Sequence, residues 1–211
     1  MNHTVLGPDG KPRCFWCGSV PEFFPYHDNE WGFPVDDDVR LFEKLCLESF
    51  QSGLSWRTIL AKRENFRRAF AEFDIERIAR FTPHDVARLL QDAGIVRHRG
   101  KIEAVINNAQ RAQELIASEG SLAAYFWGFE PPRDEVAPQS QTTSAVSVAI
   151  SKDLKKRGWK FVGPTTVFAF MQAMGLINDH VEDCVIRAKV AAARKRFKSP
   201  DPNAVKPVAS K

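Results

Sequence analysis

Two residue pairs at opposite ends of the chain constrain its fold most: Cys14 with His27, and His180 with Cys184. Two cysteines and two histidines are a donor set that zinc takes in closed structural sites. His180 and Cys184 are four residues apart, so on a helix they would share one face, one turn apart. If all four meet, a metal clips the N-terminal segment to the last helix. Spacing alone leaves two other readings open: ordinary core or surface residues, or a separate two-cysteine pair in Cys14-Phe-Trp-Cys17. A catalytic zinc is the weaker reading, because there is no His-Glu-x-x-His and four protein ligands leave no open position.

His27 lies inside Tyr26-His27-Asp28-Asn29-Glu30-Trp31-Gly32, too dense in recognition chemistry for an ordinary connecting loop. The chain's 211 residues suffice for one domain or two small lobes. No apolar run reaches the roughly 18 residues of a membrane span, and the start lacks a signal-peptide pattern, so a cytoplasmic location is expected. In that reducing setting Cys14, Cys17, Cys46 and Cys184 read as ligands or buried thiols rather than disulfides. The net charge of +4 is uneven: residues 187–211 carry eight Lys/Arg against Asp201 alone, leaving residues 1–186 at about −3. A basic total therefore says little about the folded body, and clustering decides. Clusters occur at Arg67 and Arg68, at Arg97, Arg99 and Lys101, and at Lys152, Lys155, Lys156, Arg157 and Lys160. Any one of them could equally be a solvated helix face.

Read in order, residues 1–13 form a flexible leader and 14–35 a proline-rich loop region. A helix is expected over 36–50, capped by Asp36 or Asp37 and carrying the stripe Val39, Leu41, Phe42, Leu45, Cys46 and Phe50. Ser55 caps a second helix through Phe70, and a short one follows Asp74. Thr82-Pro83 starts a helix that Gly94 ends. A long amphipathic helix runs from Ile102 to Ile116. Residues 130–145 read as a loop, 146–157 as a helix ended by Gly158, and Pro164–Met174 as a helix stopped by Gly175. The last helix starts near Asn178 or Asp179 and runs into the basic segment. No strand pattern is found, so the body is all-α. The expected division is a leader (1–13), one domain (14–186) and a basic tail (187–211) that is disordered in part.

Asp92-Ala-Gly-Ile-Val-Arg-His-Arg-Gly-Lys-Ile102 reads as helix end, glycine-bearing hairpin and helix start. Such a hairpin aims backbone N–H groups and a helix N-terminus at a phosphate, with Arg97, Arg99 and Lys101 adding charge. The plainer alternative is an ordinary turn between helices. Glu48 sits on a strongly apolar helix, where a carboxylate must face solvent or commit to a polar partner.

Several blocks together resemble the DNA-3-methyladenine glycosylase I family of helix-hairpin-helix glycosylases. They are Tyr26 through Gly32, Leu47-Glu48 with Gln51-Ser-Gly-Leu-Ser-Trp56, Lys62-Arg-Glu-Asn65, and Asp92-Ala-Gly-Ile95 with Arg97-His-Arg-Gly-Lys-Ile102. Further along come Lys155-Lys-Arg-Gly158 with Lys160-Phe-Val-Gly163, Met171-Gln-Ala with Gly175-Leu, and Asn178-Asp-His-Val181. The likeness spans roughly residues 13–184. It implies a helix-hairpin-helix fold, a structural zinc on Cys14, His27, His180 and Cys184, and a damaged-base pocket lined by Glu48, Tyr26 and Trp56, with Trp31 and Gln51 as further contributors. Gly94, Arg97, Arg99, Gly100 and Lys101 would hold phosphates. Cys17, Phe23, Phe50 and the length of the tail depart from the family pattern.

The implied activity is hydrolysis of the N-glycosidic bond of 3-methyladenine in damaged duplex DNA by a monomer, after the nucleotide is flipped into a pocket. The leaving base is already cationic, so selection and orientation beside the Glu48 charge carry much of the rate. Water would be the nucleophile, because segments 23–32 and 46–56 contain no lysine for a Schiff base. No Asp occurs between Lys101 and Phe129 to act as a catalytic carboxylate beyond the hairpin. The competing readings are a non-catalytic helix-hairpin-helix DNA-binding protein and a zinc hydrolase.

Overall fold

The computed structural model describes residues 3–133 and 141–200. Its organising element is a helix whose residues 41–50 are all buried, α2 (Asp38–Gln51), with Asp37 accepting from the Arg40 N–H as N-cap. A helix enclosed on every side must satisfy its polar groups internally. Glu43 is met by Arg67 at 2.8 Å, Lys44 by Glu48 at 2.7 Å, and the Ser49 hydroxyl by the Leu45 carbonyl at 2.8 Å.

Short helices precede and follow α2 in the chain. These are α1 (Phe23–Asn29), α3 (Trp56–Ala61), α4 (Arg63–Ala69), α5 (Ile75–Ala79) and α6 (Pro83–Gln91). The longest, α7 (Arg99–Glu119), follows a hairpin, and α8 (Leu122–Trp127), α9 (Ala145–Lys156), α10 (Pro164–Ala173) and α11 (Val185–Arg196) complete the set among the described residues. α2 packs against α7, α8 and α10. Phe50, Phe66, Phe70 and Phe73 stack in series between them at centroid spacings of 4.6, 6.3 and 5.8 Å. No helix among the described residues is long and apolar enough to cross a membrane.

The body is mostly helical, as expected, but four local expectations change. The segment read as a leader carries β1 (Thr4–Leu6), paired antiparallel with β2 (Pro12–Cys14), so the chain is not wholly without strands. Arg13 stitches this hairpin by reaching Asp9 at 3.2 Å and Asp28 at 3.0 Å. The dense stretch read as loop is helix α1, because Pro25 falls in its first turn, where a missing N–H costs nothing. The expected second helix is two, α3 and α4, broken at Lys62, whose N–H turns back to Ile59. Residues 178–184 are not helical: the last helix begins at Val185, and the Arg187 guanidinium holds the preceding segment through the Asn178 and His180 carbonyls. Residues 134–140 of the expected loop and 201–211 of the tail lie outside the described residues.

The first half of the basic tail is therefore structural. α11 buries Ile186, Val190 and Arg194, and the Arg194 guanidinium donates to the Gly175 carbonyl and pairs with Glu130 at 3.1 Å. Gly175 itself has φ of +80°, and a Cβ there would lie 2.6 Å from the Phe33 backbone, so this junction is tightly specified. Arg194→Ala should cost roughly 2 kcal/mol in urea unfolding, because it removes a buried guanidinium and its charged hydrogen bond to the Gly175 carbonyl, although Glu130 keeps Arg133. Lys195→Ala, one residue on and exposed, should change stability by less than about 0.5 kcal/mol. Equal effects would mean that α11 does not contribute through this contact.

Candidate functional site

Cys14, at the end of β2, His27 on α1, His180 and Cys184 converge despite their sequence separation, with their donor atoms all within 4.8 Å of one another. The Cys14 sulfur is 3.5 Å from His180 Nδ1, and the Cys184 sulfur is 3.6 Å from both His27 Nε2 and His180 Nδ1. Sulfur and imidazole donors around one tetrahedral ion at about 2.0–2.3 Å stand roughly 3.5 Å apart. All four residues are buried. The outer nitrogens are occupied: His27 Nδ1 lies 2.7 Å from Asp28, itself held by Arg13, and His180 Nε2 lies 3.1 Å from the Trp31 carbonyl. Such partners fix the ring orientation and leave the inner nitrogens facing the centre. The contacts to Cys14, His180 and His27 hold the Cys184 thiol far below its usual range, as a metal-binding thiolate requires. This group could hold a metal ion. Cys17 is outside it: its thiol donates to the Cys14 carbonyl at 3.1 Å, and burial pushes its pKa up to about 12.

The second constellation sits one residue along α1. Tyr26 precedes His27, so the metal-type cluster fixes its position. The Tyr26 hydroxyl accepts from Lys44 Nζ at 2.7 Å, and no acceptor for its own hydrogen occurs among the described residues. Burial drives the phenol well above its ordinary pKa, which keeps it a donor. Lys44 Nζ also lies 2.7 Å from Glu48 and 3.5 Å from the centroid of the Trp56 ring. Glu48, Tyr26 and Trp56, singled out from sequence, thus surround one point, and that point holds an ammonium. The Trp56 Nε1–H is buried without a partner, an unmet donor of the kind a ligand can satisfy. Trp31 goes elsewhere: its ring packs on His27 and His180 at 6.1 and 4.6 Å, against the metal-type cluster rather than beside Trp56. Gln51, half-buried, ends α2 at the turn where Gly53 has φ of +77° and Leu54 stands 41% exposed.

The hairpin between α6 and α7 is tied down from α4. Lys62 donates to the Ala93 and Gly94 carbonyls at 3.0 and 3.2 Å, and Asn65 to Gly94 at 3.2 Å. A Cβ on Gly94 would lie 2.9 Å from Asp92 and 3.1 Å from Asn65, which explains a glycine there. Gly100 falls in the first turn of α7, after the cap His98, whose Nδ1 accepts from the Lys101 N–H at 3.1 Å. Arg97 is exposed; Arg99 is exposed and 3.3 Å from Glu103. Lys101, expected at phosphates, turns inward. Only 7% exposed, it donates to the Phe50 and Ser52 carbonyls at 2.9 and 2.5 Å, capping α2. Its amide sits in the hairpin, while its ammonium belongs to the core.

Sequence reasoning missed three groups. Lys44 lies two residues outside the segments searched for lysine, and its i, i+4 spacing to Glu48 was the available signal. Trp16, half-buried, meets the Tyr26 ring edge-on at 6.4 Å. Leu54 is an exposed apolar side chain two residues before Trp56, signalled only by the Gly-Leu pair in a turn.

Comparison with known proteins bears on this geometry. A family model described as methyladenine glycosylase matches residues 16–188. DNA-3-methyladenine glycosylase 1 of Escherichia coli K12 is 48% identical over 177 residues, 82% of this chain and 95% of that protein. DNA-3-methyladenine glycosylase of Haemophilus influenzae is 44% identical, over 82% of this chain and 96% of that one. A solved variant of 3-methyladenine DNA glycosylase I in complex with 3-methyladenine superposes with a TM-score of 0.76 at 38% identity, covering 80% of this chain and 94% of that chain.

The inward turn of Lys101 makes a checkable distinction within the hairpin. Lys101→Met should destabilise the protein by about 2 kcal/mol in urea unfolding, since it removes charged hydrogen bonds from the α2 terminus. Arg97→Ala should leave stability within about 0.5 kcal/mol of wild type. A neutral Lys101→Met would return that ammonium to the surface.

Proposed function

Because the chain belongs to the methyladenine glycosylase family, we propose that it hydrolyses the N-glycosidic bond of 3-methyladenine in alkylated duplex DNA and releases the free base. The observation that carries this reading is the convergence of Glu48, Tyr26 and Trp56 on one cation-accepting point. N3-alkylated adenine in DNA is a cation. The Trp56 face contributes a cation–π attraction of roughly 0.5–2 kcal/mol. Glu48 accepts from the exocyclic amine, the free Tyr26 hydrogen donates to a base edge, and Trp16 closes the side.

The target nucleotide must leave the stack to reach this pocket. In this reading the helix-hairpin-helix element α6–α7 holds the phosphates through Arg97, Arg99 and the backbone around Gly94 and Gly100, giving affinity independent of sequence. Leu54, exposed at a left-handed turn beside Trp56, fills the space the nucleotide vacates, as apolar wedges do. Breaking the glycosyl bond returns the bonding electrons to the cationic base and makes it neutral, so no strong general acid is required. Water attacks the sugar carbon beside the Glu48 charge. Lys44 faces Glu48 and the Trp56 ring on the base side of this site rather than the sugar carbon, so no Schiff base forms and the strand stays intact. A purely phosphate-binding module would have no use for the buried aromatic and carboxylate groups of this pocket.

Cys14, His27, His180 and Cys184 would hold a structural zinc. The S₂N₂ donor set and the approach of all four donor atoms to within 4.8 Å of one another fit that ion, and four protein ligands would leave no position for chemistry. Its part would be to fix α1, and with it Tyr26, against the C-terminal segment. Purified protein should contain about one zinc per chain by elemental analysis, and Cys184→Ser should lose the metal and unfold at lower denaturant. A metal-free wild type of full stability would rule the site out.

The direct test of function is release of free 3-methyladenine from methylated duplex DNA, read by chromatography of the released base. Glu48→Gln should cut single-turnover excision at least tenfold while leaving affinity for undamaged duplex nearly unchanged, because phosphates dominate that affinity. Arg97→Ala should do the reverse, weakening binding to any duplex and lowering the salt slope by about one unit. Borohydride treatment during turnover should trap no protein–DNA adduct. Wild-type excision by Glu48→Gln, or a trapped adduct, would overturn this mechanism.

A further inference from the structure

Lys44 does something that the recognition of a cationic base does not require. Its ammonium lies 3.5 Å above the Trp56 ring centroid and 5.0 Å from that of Tyr26. It pairs with Glu48 and donates to the Tyr26 hydroxyl, each at 2.7 Å. These are the same three groups assigned above to the base. An aromatic base in van der Waals contact with Trp56 would need about the 3.5–4 Å separation that the ammonium already occupies. Lys44 and a base stacked on this face exclude one another.

We propose that Lys44 is a resident cation that a base must displace, so that the pocket exchanges one cation for another and thereby selects cationic bases and expels neutral ones. The inference rests on the glycosylase reading above and deepens it. Displacing Lys44 removes an ion pair, a hydrogen bond and a cation–π contact together. A cationic alkylated base restores all three kinds of contact with Glu48, Tyr26 and Trp56. A neutral adenine restores the hydrogen bond and stacking but not the charge, and leaves Glu48 buried beside an uncharged ligand. The same asymmetry acts after the chemistry. Once the glycosyl electrons have gone to the base, the product is neutral, and Lys44 reclaims its place as the base leaves.

The local charges favour a mobile cation. Burial pushes the Lys44 amine down while Glu48 pulls it up, and Arg63 and Glu30, themselves paired at 2.6 Å, oppose one another nearby. The four-carbon stem is flexible enough to carry the head group out of the pocket from a fixed helix.

The test compares wild type with Lys44→Met, which removes the cation at similar length, and with Lys44→Gln, which keeps a donor for Glu48. Each variant is assayed for affinity for free 3-methyladenine and adenine and for excision from methylated duplex DNA. Without the resident cation both neutral bases should bind roughly tenfold more tightly or better. Steady-state turnover should fall through slow product release, by a larger factor than single-turnover excision. In wild-type protein, saturating 3-methyladenine should expose Lys44 and speed its reductive methylation, read by peptide mass spectrometry. Unchanged or weaker base binding in both variants would overturn the proposal, as would Lys44 methylation that is unaltered or slowed by the base. A wild type that releases no 3-methyladenine from methylated DNA would instead bring down the glycosylase reading, an outcome distinct from an active wild type whose Lys44 variants bind base no better.

Discussion

The enclosure of α2 is the constraint on which the rest of the molecule depends. Ten consecutive residues of one helix are buried, and Glu43, Lys44, Glu48 and Ser49 are among them. Charged groups in such a setting are costly unless paired, and replacing buried pairs with apolar residues is often neutral or stabilising. Packing alone would therefore favour an apolar helix here. The polar groups that remain fall into two kinds. Glu43 with Arg67, and Ser49 with the Phe161 carbonyl, tie α2 to its neighbours. Lys44 and Glu48 instead share their surroundings with Tyr26 and Trp56, where a charge has a use beyond packing.

The Cys/His cluster acts on the same pocket from outside. Its four residues come from β2, α1 and the segment before α11, so one ion would join three pieces of chain that are far apart in sequence. Tyr26 is adjacent to a candidate ligand, and Trp31 packs its ring against the two histidines while its carbonyl fixes one of them. On the proposed reading, the rigidity that recognition needs would be supplied by a shell of contacts outside the base-binding groups. Trp31, expected from its motif to line the pocket, belongs to that supporting shell.

The legible parts of the sequence were those carried by local rules. The Thr82-Pro83 start, the long apolar period of α7 and the glycines after α9 and α10 all mark real boundaries, because caps and periodicity are set within a turn or two. The convergence of Cys14, His27, His180 and Cys184 was legible from donor chemistry, although its helical rationale fails: residues 180–184 form a turn braced by Arg187. What stayed hidden was side-chain direction. Pro25 looked like a breaker and is a first-turn residue. Lys101 looked like a phosphate ligand and caps α2 from inside. Nothing in a one-dimensional pattern says which way a lysine on a short hairpin will point.

That difference decides how the positive charge should be counted. Lys62 is spent on the hairpin carbonyls, Lys101 on the α2 terminus, Arg194 on the Gly175 carbonyl and Glu130, and Lys44 on the pocket. Arg97 and Arg99 are left as the exposed cations of the hairpin. Each phosphate neutralised by a cation contributes about one unit of salt slope for duplex DNA. On the proposed reading, a hairpin with two outward arginines, plus backbone N–H groups that release no extra counterion, would hold DNA with a shallower salt dependence than its sequence suggests. The inward cations do a different task. Lys62 and Lys101 fix the hairpin and the end of α2 in one frame. On the proposed reading they would thereby set the distance from the phosphate grip to Trp56, and that distance, rather than the strength of the grip, would decide whether an extruded nucleotide reaches the ring.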